Sequence, residues 1–458
     1  MEGFAMRWPE ADVRAVALLG EAGASCVWLP WEAPGDRRAF LAACRAAGLR
    51  VIAELAAGET ARLSEARAAG FQGAAFAWEG DQEGLQRIEA QQQGFQTYVL
   101  LDAARIGLRT HTAHAVLRAG AWPGAQRPEP GQASATQRAW VHSNLHLLAW
   151  LRAVFPDRTA LLSYRPDEDG DAATGQRTPY WSAELALAEA AVAGGSAILT
   201  LPESLRRSLP AAQGMAREAW ESLVQASRFL REQGEAFRAP LGLRVAALAG
   251  PLEESAEVLK LLFRFNVSPA IVPVTRPGPL AGYRVVLAIG LREDSQAARA
   301  ALEFARSGGT VLAIPASANE RPWWRAAGLR KVKADDGRDI CFLGKGTLIV
   351  YQSAAGDPGE IAEDVLDALG WTRRDLRIWG TDTVIGLLRR RPGGGISVDL
   401  LNYGGRGGEF LIRLEGKFAA AELRQPGEGP RPLRAAVRGS GTEIEMPRIR
   451  RVARLLLA

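Results

Sequence analysis

The sequence predicts an α/β chain in three parts: a (β/α)8 TIM barrel over residues 1–238, a flavodoxin-like α/β domain over 239–378, and a small C-terminal antiparallel β-sandwich over 379–458. Three observations predict this. Short apolar runs alternate with helical stretches, and eight such runs fall in the first part. One junction recurs, a helix, then a glycine, then an apolar strand: EAGASCVWL, AAGLRVIAEL, AAGFQGAAFAW and VAGGSAILTL. Glycine suits the left-handed turn after a helix, and continuous apolar strands suit a sheet buried on both faces. From Thr383 the pattern becomes short strands separated by Gly/Pro turns. The alternative for the first part is an open doubly wound sheet, which would need a reversal of strand order that the sequence does not suggest.

The first strand is read in Gly3 to Trp8. A helix opens at Pro9 to Asp12, with Val13, Val16, Ala17 and Leu19 at helical spacing, and Gly23 ends it. Strand two is Ser25 to Trp31, followed by a helix from Asp36 to Ala47. Strand three is Arg50 to Leu55, followed by a helix from Glu59 to Ala69. Strand four, Gly73 onward in GAAFAWEGD, runs into Trp78 and Glu79, and a polar helix spans Gln82 to Gln93. Strand five is Thr97 to Leu101, with Asp102 after it. Strand six is His114 to Ala121, followed by Trp122-Pro123-Gly124 and a Pro/Gly/Gln-rich loop over Ala125 to Ala135. Trp140 to Phe155 reads as a helix, Thr159 to Tyr164 as strand seven, Trp181 to Ala193 as a helix and Ser196 to Leu201 as strand eight. Ala211 to Phe237 reads as one long helix.

After a linker at Arg238 to Gly242 the alternation restarts. Strands are expected at Leu243 to Ala249, Ala270 to Val274, Tyr283 to Ile289 and Thr310 to Ile314. Cys341 to Tyr351 reads as two strands turned at Gly344-Lys345-Gly346. Helices are expected at Glu253 to Phe265, Ser295 to Arg306 and Glu360 to Leu369. The last part offers VIGLLRRR, GISVDLLNY, GEFLIRLEG and Phe418 to Leu423 as sandwich strands.

Composition narrows the function classes. The net charge is +5, spread over arginines scattered among Asp and Glu. No basic stripe with interleaved aromatics appears, so nucleic acid is not an expected partner. No run reaches the roughly 18 apolar residues of a membrane span. The opening MEGFAMRWPE lacks a signal-peptide pattern and begins almost in a strand, as a trimmed chain would, so the chain is expected to be soluble with its compartment open. The 3 cysteines, Cys26, Cys44 and Cys341, make no disulfide framework and no zinc pattern. Of the 4 histidines, His142 and His146 stand i, i+4 without an HExxH around them, so no metal is expected. The acidic loop after strand seven, DEDGD, lacks EF-hand spacing.

In a closed parallel barrel the C-terminal strand ends converge on one pocket. Carboxylates follow several of these strands: Glu32, Glu79, Asp102, Asp167, Glu168, Asp169 and Glu203, with Glu54 near the end of strand three. Tryptophans accompany them: Trp8, Trp31, Trp78, Trp122 and Trp181. Acids among aromatic platforms suit a carbohydrate, whose apolar faces stack on rings while acids serve hydroxyls or the glycosidic bond. Glu79, beside Trp78 after an apolar strand, fits a general acid, because a less polar setting keeps a carboxyl protonated. Glu168 is the expected partner, since strands four and seven face each other across a barrel; Glu203 is its rival. Trp8, Trp31, Glu32, Trp78, Asp102, Trp122, Tyr164, Arg165 and Glu203 are the expected substrate-binding residues. No cofactor is called for. Solvated acidic loops and aromatic core residues would give the same pattern without function. In the second part, the position after Tyr283 to Ile289 is Gly290-Leu291-Arg292-Glu293, without the cysteine an amidotransferase elbow needs.

A barrel, an amidotransferase-like domain without its cysteine, and a β-domain, in that order, resemble the family 42 β-galactosidases. Gly344-Lys345-Gly346-Thr347-Leu348-Ile349-Val350 looks like a piece of their trimerisation domain, and Leu400-Leu401-Asn402-Tyr403 like a strand of their C-terminal domain. The resemblance implies an acid/base glutamate after strand four, matched by Glu79, a nucleophile after strand seven, matched loosely by Glu168, and a homo-oligomer through the second domain. That family places Asn before the acid/base, where this chain has Trp78. The departure favours an alternative reading, a non-catalytic carbohydrate-binding or scaffold protein. A third reading is an assembly protein whose second domain makes oligomer contacts.

Overall fold

The computed structural model describes residues 3–92, 94–102, 110, 112–118, 121–126, 139–166, 179–209, 214–239, 241–250, 252–315, 322–335, 337–352, 357–370, 374–391, 394–404 and 408–458. The first part contains β1 (Ala5–Arg7), α1 (Ala15–Glu21), β2 (Cys26–Pro30), α2 (Arg37–Ala46), β3 (Arg50–Leu55), α3 (Leu63–Ala68), β4 (Gly73–Ala77), α4 (Gln82–Gln91), β5 (Gln96–Leu101) and β6 (His114–Arg118). A small hairpin of β7 (Gly124–Gln126) and β8 (Trp140–His142) follows. Next come α5 (Leu145–Val154), β9 (Leu161–Tyr164), α6 (Ser182–Val192), β10 (Ser196–Thr200), α7 (Glu203–Ser208), α8 (Gly214–Glu232) and α9 (Gly234–Arg238). Eight parallel strands close in the order β1-β10-β9-β6-β5-β4-β3-β2, which is the barrel the repeated junctions predict.

Local chemistry makes these elements. Asp36 caps α2 by accepting from the Ala39 amide at 3.0 Å, and Asp81 caps α4 by accepting from the Gly84 amide at 2.7 Å. The glycine of the recurring junction is left-handed at Gly48 and Gly70, with φ of 72° and 92°. Strand alternation then sorts the side chains into two cores. Cys26, Trp28, Ile52, Ala75, Tyr98, Val116, Leu161 and Ile198 fill the barrel interior. Their neighbours Val27, Leu29, Val51, Ala74, Val99, Leu117, Leu162 and Leu199 pack outward against the helices. Helix α6 is unusual in that Ser182 to Ala190 are buried on every side. It lies between β9 and β10, α8, and the third domain, which is why its sequence is apolar all round.

The second part comprises β11 (Val245–Ala249), α10 (Leu252–Arg264), β12 (Ala270–Pro273), β13 (Val285–Ile289), α11 (Gln296–Arg306), β14 (Thr310–Ile314), β15 (Arg330–Asp335), β16 (Arg338–Leu343), β17 (Gly346–Tyr351) and α12 (Pro358–Leu369). Its sheet runs β12-β11-β13-β14-β17-β16-β15. The five parallel strands have the 2-1-3-4-5 order of flavodoxin-like folds, and an antiparallel hairpin extends one edge. The GKG turn has a physical reason. A Cβ on Gly346 would stand 2.2 Å from the Ala305 carbonyl oxygen and 2.3 Å from that of Gly309. Only glycine lets this strand start against the end of α11.

The third part is a sandwich of nine strands: β18 (Leu376–Trp379), β19 (Val384–Arg390), β20 (Ile396–Asn402), β21 (Phe410–Glu415), β22 (Ala421–Arg424), β23 (Arg431–Leu433), β24 (Ala435–Arg438), β25 (Gly441–Met446) and β26 (Val452–Leu457). One sheet runs β18-β21-β25-β24 and the other β19-β20-β26-β22-β23.

The structure departs from the sequence reading in four places. Trp140 to His142 form strand β8 rather than helix, because they pair with Gly124 to Gln126 before α5 begins. The stretch read as one helix over Ala211 to Phe237 contains α8 and α9, with Gln233 between them. A short helix, α7, starts at Glu203. Finally, β15, β18 and β23 to β26 extend three sheets beyond the strands expected. Among the described residues, no helix is long and apolar enough to cross a membrane.

Candidate functional site

The C-terminal strand ends form the barrel mouth, and alternation decides which side chains face it. Arg7 ends β1, Glu54 lies one residue before the end of β3, and Arg165 follows β9. These three meet. Arg7 Nε donates to Glu54 Oε2 at 2.5 Å, and an Arg165 guanidinium nitrogen donates to Glu54 Oε1. The Glu54 side chain is 10% exposed. A carboxylate held between two guanidiniums makes charge-assisted bonds with both oxygens. It is suited to orienting donors and hydroxyls. Arg165 also reaches Ser163 Oγ at 3.4 Å.

On the same rim, Asp102 after β5 lies 3.6 Å from Arg118 at the end of β6. Thr200, the last residue of β10, is buried, and its hydroxyl has no hydrogen-bond partner. Glu79 follows β4 by two residues and is exposed. Trp78 is half-buried, and its indole N–H donates to the Asp81 carbonyl at 3.0 Å. This bond folds the ring over Gly80 and Gly84. The acidic loop after β9, with Asp167, Glu168 and Asp169, lies outside the described residues.

The other expected binding residues divide between rim and core. Trp31 is partly buried, with the Arg37 guanidinium 4.4 Å from its ring centroid, and Glu32 is exposed and pairs with Arg62 at 2.5 Å. Glu203 is exposed in the first turn of α7 and pairs with Arg207. Trp8 is 5% exposed and packs into the core between strands and helices. Trp122 meets Tyr164 edge-on at 6.4 Å. Tyr164 is fully buried and faces outward, away from the mouth.

Tyr164 belongs instead to a polar seam between barrel and sandwich. Its hydroxyl donates to Glu189 Oε1 at 2.9 Å, and the hydroxyl of Tyr403, at the end of β20, donates to Glu189 Oε2 at 2.6 Å. Ser143 lies 3.2 Å from the Tyr403 hydroxyl. Burial pushes the Glu189 carboxyl up, against the downward pull of its hydroxyl and Asn144 partners. Burial and the Glu189 carboxyl push both tyrosines up. A second seam sits lower. Asp399 is fully buried between Arg389 at 2.6 Å and Arg454 at 2.7 Å, and Arg389 also donates to the Val192 carbonyl of the barrel and the Ala239 carbonyl of the linker after it.

Arg7 and Arg118 were not among the expected residues. Alternation in the short strand AMR, continued from inward Ala5, puts Arg7 inward; the same count from Val116 finds Arg118. Among the described residues, no group of three His, Cys, Asp or Glu side chains is placed to hold a metal ion.

No protein-family model matches the chain, and no curated protein matches it. Solved structures do. The chain is similar to alpha-L-fucosidase isoenzyme 2 from Paenibacillus thiaminolyticus, at 10% identity and a TM-score of 0.66, over 100% of this chain and 99% of that one. It is also similar to the exo-beta-1,4-mannosidase Op5Man5 from Opitutaceae bacterium strain TAV5, at 12% identity and a TM-score of 0.50, over 80% of this chain and 93% of that one. At these identities the likeness is one of fold, a glycosidase-like arrangement; it does not single out the family 42 β-galactosidases.

Proposed function

We propose that this chain is a glycoside hydrolase-like protein that takes a carbohydrate at the C-terminal mouth of its barrel. The observation that carries the reading is the Arg7–Glu54–Arg165 cluster. It fixes donors and acceptors at the mouth, whose strand ends also carry Glu79 and Asp102. Such a cluster suits sugar hydroxyls, and a half-buried indole suits an apolar sugar face. Two structural neighbours named as a fucosidase and a mannosidase support the substrate class.

In this reading Glu79 is the general acid/base and Glu168 its partner, the pair of carboxyls that glycoside cleavage uses without a metal or organic cofactor. Glu54, held by Arg7 and Arg165, orients hydroxyls. The test is Glu79→Gln against a panel of aryl glycosides. Turnover is expected to fall by roughly 10²–10⁴-fold, the usual contribution of a positioned acid/base, with the circular dichroism spectrum unchanged. Turnover equal to the wild type would remove Glu79 from the mechanism.

A second reading is carbohydrate binding without turnover. One observation favours it: Glu79 is exposed, while the carboxylate that is buried in the mouth already serves two arginines. Sugar binding by calorimetry with no hydrolysis across the panel would select this reading over the first.

A further inference from the structure

A cavity of about 200 Å³ lies in the seam between the barrel and the second domain. One wall is the first turn of α5, with Ser143, Asn144 and His146; the other is α10, with Lys260 and Arg264 one turn apart. We infer that this cavity is a binding site for a small carboxylate-bearing sugar of hexuronate size. The inference does not rest on the reading of the barrel mouth.

His146 points to a ligand independently of the cavity's shape. It is 3% exposed, and its Nδ1 has no hydrogen-bond partner. The ring has a backbone hydrogen bond at Ser143, and an occupant of the cavity would supply a partner for the buried nitrogen that remains. Burial, then Lys260, push this imidazole down to about 3 against the upward pull of a backbone hydrogen bond at Ser143, so it is neutral and can bond a hydroxyl.

Charge and shape set the ligand class. Lys260, Arg264 and the N-terminal end of α5 bring positive potential to one place. Against them stand Glu257, 3.1 Å from Lys260, and the Ala139 carbonyl, which accepts from Arg264 at 2.6 Å. The balance favours an anion. Leu147 on α5 and Leu261 on α10 also line the cavity, and Trp140 presents an indole that is 53% exposed. An aromatic face beside cationic groups suits a ring with one apolar face and one carboxylate. The volume equals that of about seven waters, enough for one monosaccharide and too little for a chain.

The test is isothermal titration of the full chain with D-glucuronate and D-galacturonate, with D-glucose as the neutral control. At least one uronate is expected to bind at millimolar concentration or below, and glucose to bind at least tenfold more weakly, about 1.4 kcal/mol. Lys260→Met, on the solvent side of the cavity, is expected to weaken the uronate about tenfold. His146→Phe is expected to abolish binding, and if that variant fails to fold, Lys260→Met carries the test. Arg118→Met, at the barrel mouth, is expected to leave uronate affinity unchanged. The inference is overturned if neither uronate binds, if glucose binds as well, or if Arg118→Met abolishes binding while Lys260→Met spares it.

Discussion

Replacing Tyr403 by phenylalanine removes one hydroxyl from the seam between barrel and sandwich and almost nothing else. That hydroxyl donates to Glu189 Oε2 at 2.6 Å, inside a site where Tyr403, Glu189 and Tyr164 are all fully buried. A hydrogen bond to a charged group contributes about 1.5–3 kcal/mol, and one between neutral groups about 0.5–1.5 kcal/mol. The cost of the substitution therefore depends on the charge of Glu189. Burial raises this carboxyl above its unfolded value, and the Tyr403 bond opposes that rise. A group raised on folding contributes stability that is fully present below its unfolded pKa, about 4.3 for Glu, and lost as pH climbs through the folded value. Removing Tyr403's bond moves the folded value higher still, so the variant loses more across that window. The expected cost is about 1 kcal/mol near pH 4, where the carboxyl is protonated, and rises toward about 1.5–3 kcal/mol as the pH climbs and the carboxyl ionises. Paired urea melts of wild type and variant across this pH range, followed by near-ultraviolet circular dichroism, measure the difference, because other titrating groups cancel. An equal cost at every pH would refute the coupling of Glu189 to Tyr403.

Two further outcomes follow from the buried groups. Asp399→Asn leaves Arg389 and Arg454 without their shared carboxylate in a site of zero exposure. Breaking such a pair costs about 3–5 kcal/mol, so the variant is expected to melt well below the wild type in a thermal scan; an unshifted melt would show that the two arginines find water. Cys26 and Cys44 are fully buried, and burial pushes both thiols up to about 12. Because the thiolate is the reactive form, neither is expected to react with a disulfide reagent at pH 8 until denaturant is added. Rapid labelling of either in the native protein would contradict their placement.

The sequence reading found the barrel because its repeating unit is local. Gly48 and Gly70 turn where a helix must end, and Val51 to Ala53 or Ala74 to Phe76 are apolar on both faces because both faces are covered. It missed β8 because Trp140 to His142 run directly into the apolar ladder of α5, and nothing within them announces a partner at Gly124. It missed β24 because this edge strand, Ala435 to Arg438, is half-exposed and presents no apolar run. The site was partly readable. Glu54 and Arg165 stood at strand ends, where the fold converges, and they do meet; Arg7 and Arg118 required counting alternation through short strands. Tyr164 was placed in the site by proximity to a strand end, but one residue of alternation turns it outward. Its true partners, Glu189 and Tyr403, lie on a helix and on another domain, and no local pattern marks a bond across 214 residues of chain.

The enclosed helix α6 also bears on how the chain is made. Its outer surface, including Glu189, is covered by α8 and by the sandwich strand that ends at Asn402. A ribosome adding about 5–20 residues per second would complete the barrel's last helix some tens of seconds before the covering strands emerge. During that interval a nascent barrel presents an oily helix whose acid has Tyr164 but still lacks Tyr403. Holding factors that bind such surfaces are then needed most while the second domain is still being translated.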